Sequence, residues 1–579
     1  MAVSESPAIT VKEIDLTGVV PNVGSTTGAM VGNFNWGPVD RPILVSDEAG
    51  LVSTFGSPSK TNSIDFHSAA YFLRYANSLY VVREATQGAG ESINAYDARA
   101  NSAPRSKNVE SFEFQQAAFD SDQHTFMGKY PGELGNSLQI QWLSAVDSAD
   151  DPAFTGWAYE NNFDGAPTTS TYASDRGASN DEAHVVVIDQ DGAFTGAKGT
   201  ILESFPFVSV ASDAKSADGT SNYIVDVINN RSRYVSMVGF GDLTDSDWGA
   251  NVGTDVADAK DYQLVTPAVK TLSLAAGANS AAFTATEYAT GFDRFEDKDN
   301  IQVDFLIAPG MSSRTLQTTV VNDLVSIAQG TRKDCVVVAS PARSDVVTSL
   351  DINNDVIATA KTFTYSSYLF VDNNYLRVYD KYNDQYINIP AASSTAGIMA
   401  ASDNDTAAWY SPAGQRRGAY LGVTKTLYSP NKTERDLLYR NGVNPIANIP
   451  GQGILLYGDK THMARPSAFD RINVRRLFLV LERAIAIAAR NVLFEFNDEF
   501  TRAEFTNIVE PFLREIQGRR GITDFRVVAD ETNNTPAVID RNEFVCSIFI
   551  KPARSINFVT LNFVAVRTGV DFEEVVGSV

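Results

Sequence analysis

Cysteine and histidine are scarce in this chain: 2 and 4 among 579 residues. The cysteines, Cys335 in KDCVVVAS and Cys546 in FVCSIFI, sit in apolar strand-like runs, which points to two buried free thiols rather than a disulfide. The histidines, His67, His124, His184 and His462, lie far apart and form neither HExxH nor a Cys/His metal cluster. His462, in the polar stretch GDKTHMARPS, is a weak candidate for a catalytic triad. No apolar run approaches the roughly 18 residues of a transmembrane helix. The opening MAVSESPAIT lacks the basic region and apolar stretch of a signal peptide, so the chain is expected to fold and act from a cytoplasm. Positive charge is lacking too: a net charge of −23 argues against general nucleic-acid binding. Phosphate loops are absent. GILLYGDKT, from Gly453, comes near G-x4-G-K-[ST], but an Asp intervenes and the bulky Ile454, Leu455, Leu456 and Tyr457 make a strand rather than a cradle of bare N–H groups. APGMSSRT, from Ala308, joins a strand to a helix in a way that could hold an anion but is also an ordinary connection. No carboxylate pair stands out for acid–base work, and no cofactor or metal is implied.

What is present is an ordinary globular composition, 44% hydrophobic and 20% charged, at a length that gives about three or four domains. The pattern is α/β and α+β multidomain. Residues 21–96 carry apolar runs (AMVGNF, RPILVS), a helix opening near Ser63 and the strand LYVVREA. Residues 97–300 are rich in Gly, Ser, Asp and Asn, with short strands expected at SLQIQWLSA, AHVVVID, NYIVDVI and RYVSMVGF; they read as one or two mostly-β domains inserted into another domain. Residues 301–465 return to strand–helix alternation: VDFLIAP, a helix from about Ser313 to Gly330, CVVVAS, a helix through Val346, Val347 and Leu350, a hairpin at YLFVDNNYLRVYD turning at Asn373–Asn374, a helix over 391–401 and a loop at WYSPAGQRRG. Residues 466–567 form an α+β unit. It has a helix over about 470–493, a second opening at a Thr501/Glu504 capping box with apolar face Phe505, Ile508, Val509, Phe512, Leu513 and Ile516, and strands at DFRVVAD, NEFVCSIFI and residues 555–566.

The charge is uneven. Residues 97–300 hold 13 Lys and Arg against 31 Asp and Glu, a balance of −18, whereas residues 451–579 balance at −1. An acidic middle favours an outward face, where salt screens it. The two ends are unusual. Residues 1–20 include an extended arm with Ile9, Val11 and Ile14, and residues 568–579 place Val570, Phe572 and Val575 along an acidic tail. A monomer has little use for exposed apolar strand-like ends, so both suggest strand exchange between subunits. The helix from 470 carries Arg476, Arg483 and Arg490 at intervals of seven, nearly two turns, so they share a face. The face is either solvated or a docking surface for an acidic partner.

These segments together resemble a family. SPAITVKEIDLTGVVP with AMVGNFNWGPVDRPILV and STFG, WYSPAGQRRG, NGVNPIANIPGQGILLYGDKT, INVRRLFLVLERAI, FEFNDEFTRAEF and RVVADETNNTPAVIDRNEFVCSIFIKPARSINFVTLNF resemble the tail sheath proteins of contractile-tailed bacteriophages, over roughly 1–96 and 301–579. The resemblance implies a structural, non-enzymatic virion subunit. It would be assembled in the host cytoplasm into six-fold rings stacked around an inner tail tube, with terminal arms adding strands to neighbours' sheets. It would partner the tail tube protein and the baseplate and tail terminator proteins, with no nucleic acid and no membrane insertion. Contraction of a metastable extended sheath would drive the tube through the host envelope. In that setting Arg476, Arg483 and Arg490 are read as tube-facing, and residues 97–300 as an outward decoration. The sheath of a phage-derived contractile injection particle is the near alternative. A different class would be an envelope-degrading or receptor-binding role for the insertion.

Overall fold

The computed structural model describes residues 26–557, apart from 86–91, 98–99, 101, 122–123, 241–246, 250, 265 and 280–282. Two compact units emerge: a larger one of residues 22–408 and 412–483, and a smaller one of the C-terminal residues from 484 with Trp409–Ser411.

The larger unit is organised by a six-stranded sheet. Its spatial order is Leu369–Val371, Val336–Ala339, Phe305–Ile307, Gly28–Gly32, Leu79–Arg83 and Pro42–Val45. The first five strands run parallel, and Pro42–Val45 closes one edge antiparallel to Leu79–Arg83. Both faces are covered, so the strands read as continuous apolar runs. Alternate residues go to opposite layers. Met30, Val81, Phe305, Ile307, Val336 and Val338 pack toward helices Ser63–Leu73 and Ala392–Asp405. Ala29, Val31, Val82, Leu306 and Val337 pack toward helices Ala285–Asp293, Arg314–Ser326 and Ile352–Ala360. Where Ser63–Leu73 ends, the chain meets Ala392–Asp405 so closely that a Cβ on Gly397 would lie 2.7 Å from Tyr75 Cδ2.

Between Leu79–Arg83 and Phe305–Ile307 the chain builds two further sheets. One is four-stranded and antiparallel, ordered Lys270–Ser273, Leu138–Ser144, Glu182–Asp189, Thr200–Ser209; the other joins Asn94–Tyr96, Phe126–Pro131 and Val235–Met237. Their core holds a stacked pair, Trp142 and Trp248, with ring centroids 4.6 Å apart. Two expectations fail here. NYIVDVI is a helix, Ile224–Arg231, because Ile224, Val227 and Ile228 share a helical face and Asn229 pins its end to Met237 through both amide atoms. The last helix before residue 300, Ala285–Asp293, belongs to the core of the six-stranded sheet through Tyr288 and Phe292.

The hairpin expected at residues 368–380 is also corrected. Leu369–Val371 lies in the six-stranded sheet, while Tyr375–Asp380 pairs with Gln385–Pro390 and Lys425–Thr426 in a separate three-stranded sheet. Asp372, Asn373 and Asn374 are buried at the switch. Asn374 accepts from Tyr428 N and donates to Tyr428 O, and Asn373 accepts from Ile446 N, so these amides splice two sheets instead of turning a hairpin.

The smaller unit contains helix Glu499–Gly518 and the antiparallel pair Ile522–Val528 and Ser547–Pro552. Phe505, Val509, Leu513 and Ile516 face inward, as the spacing predicts. The cap is Asp498, whose Oδ1 accepts from Thr501 N at 2.8 Å, rather than Thr501 itself; Asp is the stronger N-cap and stands three residues earlier. Pro511 lies within the helix, and Gly521 N bonds back to Ile516 O after it. The expected strand over 555–566 falls almost wholly outside the described residues, as do Ile9, Val11, Ile14, Val570, Phe572 and Val575.

Candidate assembly surfaces

Each histidine is absorbed by packing. His67 Nε2 lies 3.1 Å from Asp380 Oδ1. His184 stacks on Phe163 at 4.1 Å and binds Gly165 O and Phe207 N. His124 is buried near Tyr96 and Phe119. His462, expected in a polar loop, is buried, stacked on Tyr365 and bonded to Gly442 O. Among the described residues no group of three or more His, Cys, Asp or Glu could hold a metal ion, and no helix is long and apolar enough to cross a membrane. The near phosphate loop is the strand Gly453–Leu456, paired with Ile446–Ile449. The Ala308 turn is filled: Ser313 caps its own helix, Gln317 Oε1 accepts from Met311 N, and a Cβ on Gly310 would come 2.7 Å from Tyr375 Oη.

The arginines of helix Ile472–Ala489 turn inward. Arg476 is 2% exposed and stacks over the Phe305 ring. Arg483 Nη1 meets Asp304 Oδ1 at 2.6 Å, and its Nη2 donates to Asp334 O at 3.1 Å. Asp304 also accepts from Thr27 N. Burial pushes its carboxyl up, and Arg483 draws it back. Arg475 lies between Tyr368 and Phe469, and Arg471 pairs with Asp459. The expected stripe is therefore corrected: Arg476 and Arg483 hold this helix to the start of the six-stranded sheet and present no surface charge. Only Arg490 of the three is exposed, in the turn Arg490–Val492. The missed signal was an acid placed just before a buried strand, Asp304 before Phe305–Ile307.

The smaller unit has the opposite character. Among the described residues its sheet has two strands, so each offers an unpaired backbone edge. Ser547–Pro552 has no fully buried residue, and Phe549 and Ile556 are exposed. The loop before helix Glu499–Gly518 exposes Leu493 (62%), Phe496 (85%), Phe500 (76%) and the whole of Phe494. Exposed apolar surface of this kind is the sort that marks interaction sites.

Three family descriptions match: the tail sheath protein Gp18 domain III N-terminal region over residues 25–83, the phage tail sheath protein central domain over 281–462, and the phage tail sheath C-terminal domain over 464–565. The chain is 32% identical to the tail sheath protein of Enterobacteria phage T4, covering 99% of each. It is 31% identical to the tail sheath protein of Vibrio phage KVP40, again over 99% of each. Its fold is similar to crystal structures of sheath tail proteins from Listeria innocua (TM-score 0.52, 13% identity, 92% of this chain and 96% of that one) and Desulfitobacterium hafniense (TM-score 0.51, 12% identity, 94% and 100%).

Proposed function

This chain belongs to the phage tail sheath family, and on that premise we propose that it polymerises as stacked six-fold rings around an inner tail tube and contracts to drive that tube through the host envelope. The observation that carries the reading is the two-stranded sheet of the C-terminal unit, whose edges are unpaired among the described residues, in a body that leaves its aromatic loop exposed. The terminal arms, through Ile9, Val11 and Ile14 and through Val570, Phe572 and Val575, supply strands to those edges in neighbouring copies. A donated strand making about six ladder bonds gains roughly 3–9 kcal/mol before ordering entropy.

The work is mechanical, not enzymatic, and takes place in the tail of the virion after assembly in the host cytoplasm. Tail tube, baseplate and tail terminator proteins are the partners, with Arg490 the remaining tube-facing arginine. Residues 97–300 form the outward face, since their charge of −18 repels copies least where salt screens it. Full-length likeness to phage sheaths at 31–32% identity favours a phage tail over an injection particle.

Negative-stain microscopy of the purified chain should show tubes or rings. Deleting residues 1–16 or 568–579 should leave folded, soluble subunits that do not polymerise. Normal tubes from both truncations would defeat the arm model.

A further inference from the structure

The three-stranded sheet of Tyr375–Asp380, Gln385–Pro390 and Lys425–Thr426 buries one face and leaves the other exposed at Tyr379, Tyr386 and Lys425. Register decides what the bare face carries. Arg377 pairs across to Asn388 on one side and Lys425 on the other, and Tyr379 pairs with Tyr386. Directly paired residues, and residues two apart along a strand, share a face. Tyr379 and Tyr386 are 46% and 54% exposed, with ring centroids 5.4 Å apart, and the Arg377 guanidinium lies over the Tyr386 ring. The result is an aromatic platform edged by two cations, with the Asp384 carboxylate accepting from Tyr379 Oη at 2.6 Å at its far end, on a chain whose net charge is −23.

The bare loop of the C-terminal unit is its chemical complement. Phe494, Phe496 and Phe500 stand out as apolar knobs, and between them lie the exposed carboxylates of Glu495, Asp498 and Glu499. Phe494 holds φ at 72°, a left-handed conformation that a bulky residue adopts only under constraint. A knob-and-acid loop needs an aromatic floor with basic edges, and the platform offers both.

We propose that the loop at residues 493–500 of one copy docks on the Arg377/Tyr379/Tyr386/Lys425 platform of a second copy. This contact is separate from strand exchange, rests on the sheath reading, and joins copies by rim charge around an apolar centre. Contacts of this kind form and release as charges slide past one another, whereas a strand ladder must break many bonds together.

The test is charge reversal with complementation between chains. R377E/K425E and E495K/E499K replace exposed residues and the half-buried Arg377, and melting curves check that both variants fold. Each alone should raise the concentration needed for polymerisation by about tenfold or more at physiological salt. A one-to-one mixture of the two should restore polymers, because every reversed platform then meets a reversed loop on another chain. If only the fourfold variant restores assembly, the contact lies within one copy and the proposal falls. It also falls if neither pair matters, if nothing restores assembly, or if E495K/E499K polymerises alone and fails only on tubes, which would make the tube the loop's partner. Failure of the wild-type chain to polymerise would instead overturn the sheath reading beneath it.

Discussion

Replacing Asp304 by Asn should show that the arginine helix is held from inside. The substitution keeps one acceptor oxygen where the carboxylate has two, Oδ2 for Thr27 N at 2.9 Å and Oδ1 for Arg483 at 2.6 Å, so one of these donors then faces an amide N–H. It removes the charge that compensates a guanidinium whose side chain is 9% exposed. Stranding one charge of a buried pair costs about 3–5 kcal/mol. Arg483→Met, which strands Asp304, should cost a similar amount. The double variant D304L/R483M removes both charges of the pair and should lose less than either single change, since apolar replacement of a buried pair is often neutral. Urea titration reads the difference: with a slope of about 3 kcal/mol per molar, a 4 kcal/mol loss lowers the midpoint by roughly 1 M. Hydrogen exchange across residues 472–489 localises it. A loss under about 1 kcal/mol for both single variants would mean that Arg483 is solvated, and would return it to the tube-facing role that its burial argues against.

Three other outcomes follow from the same interior. Burial pushes the carboxyls of Asp372 to about 7 and Asp65 to about 6. The folded state therefore holds protons that the unfolded chain releases near pH 4, and stability is greatest below that value and is lost as pH rises through 6 to 7. Asp372 alone should add about 1.4 kcal/mol on going from pH 8 to 6. Thermal melts should rise accordingly, and Asp372→Asn should raise stability at pH 8 and flatten the dependence. Gly397→Ala forces a methyl within 2.7 Å of Tyr75 and should cost about 1–3 kcal/mol in denaturant melts. A thiol reagent should label Cys546, half-buried, before Cys335, whose thiol burial pushes up to about 12; faster labelling of Cys335 in the native protein would contradict its packing.

Much of the fold can be read from short-range pattern. The strands at Gly28–Gly32, Leu79–Arg83, Phe305–Ile307, Val336–Ala339 and Gly453–Leu456 are apolar runs bounded by turn residues, and the helix Arg314–Ser326 follows its Ser313 cap. The failures share one cause, which is that a distant partner decides between local options. Asn373 and Asn374 carry a tight-turn signal, yet Tyr428 and Ile446 claim their amides. NYIVDVI fits a two-residue period and a helical one equally, and Met237 settles it through Asn229. The arginine stripe was legible as a stripe. Its direction was not, because Asp304 and the Asp334 carbonyl that Arg483 meets lie more than a hundred residues upstream, and nothing in helical spacing tells a buried charged face from a wet one. The platform was invisible for the same reason: Lys425 meets Arg377 only through strand register.

The contrast between the two units explains why charge had to be hidden. In the larger unit Arg476, Arg483 and Asp304 lie inside, and Arg83 donates to Gly37 O and Pro131 O while fully buried. Arg483 and Asp304 pair with each other, and Arg83 donates to two carbonyls of its own chain, so none of these contacts changes partners when copies move. A subunit that must hold its shape while its neighbours slide needs that separation, because a buried charge shared with a neighbour would cost several kcal/mol each time the contact opened. Exchange is confined to groups that water can serve in the interval: exposed carboxylates, exposed cations and aromatic rings at the surface. Those are the groups that the loop at 493–500 and the platform around Tyr386 present, and the low price of baring them is what lets such contacts be remade.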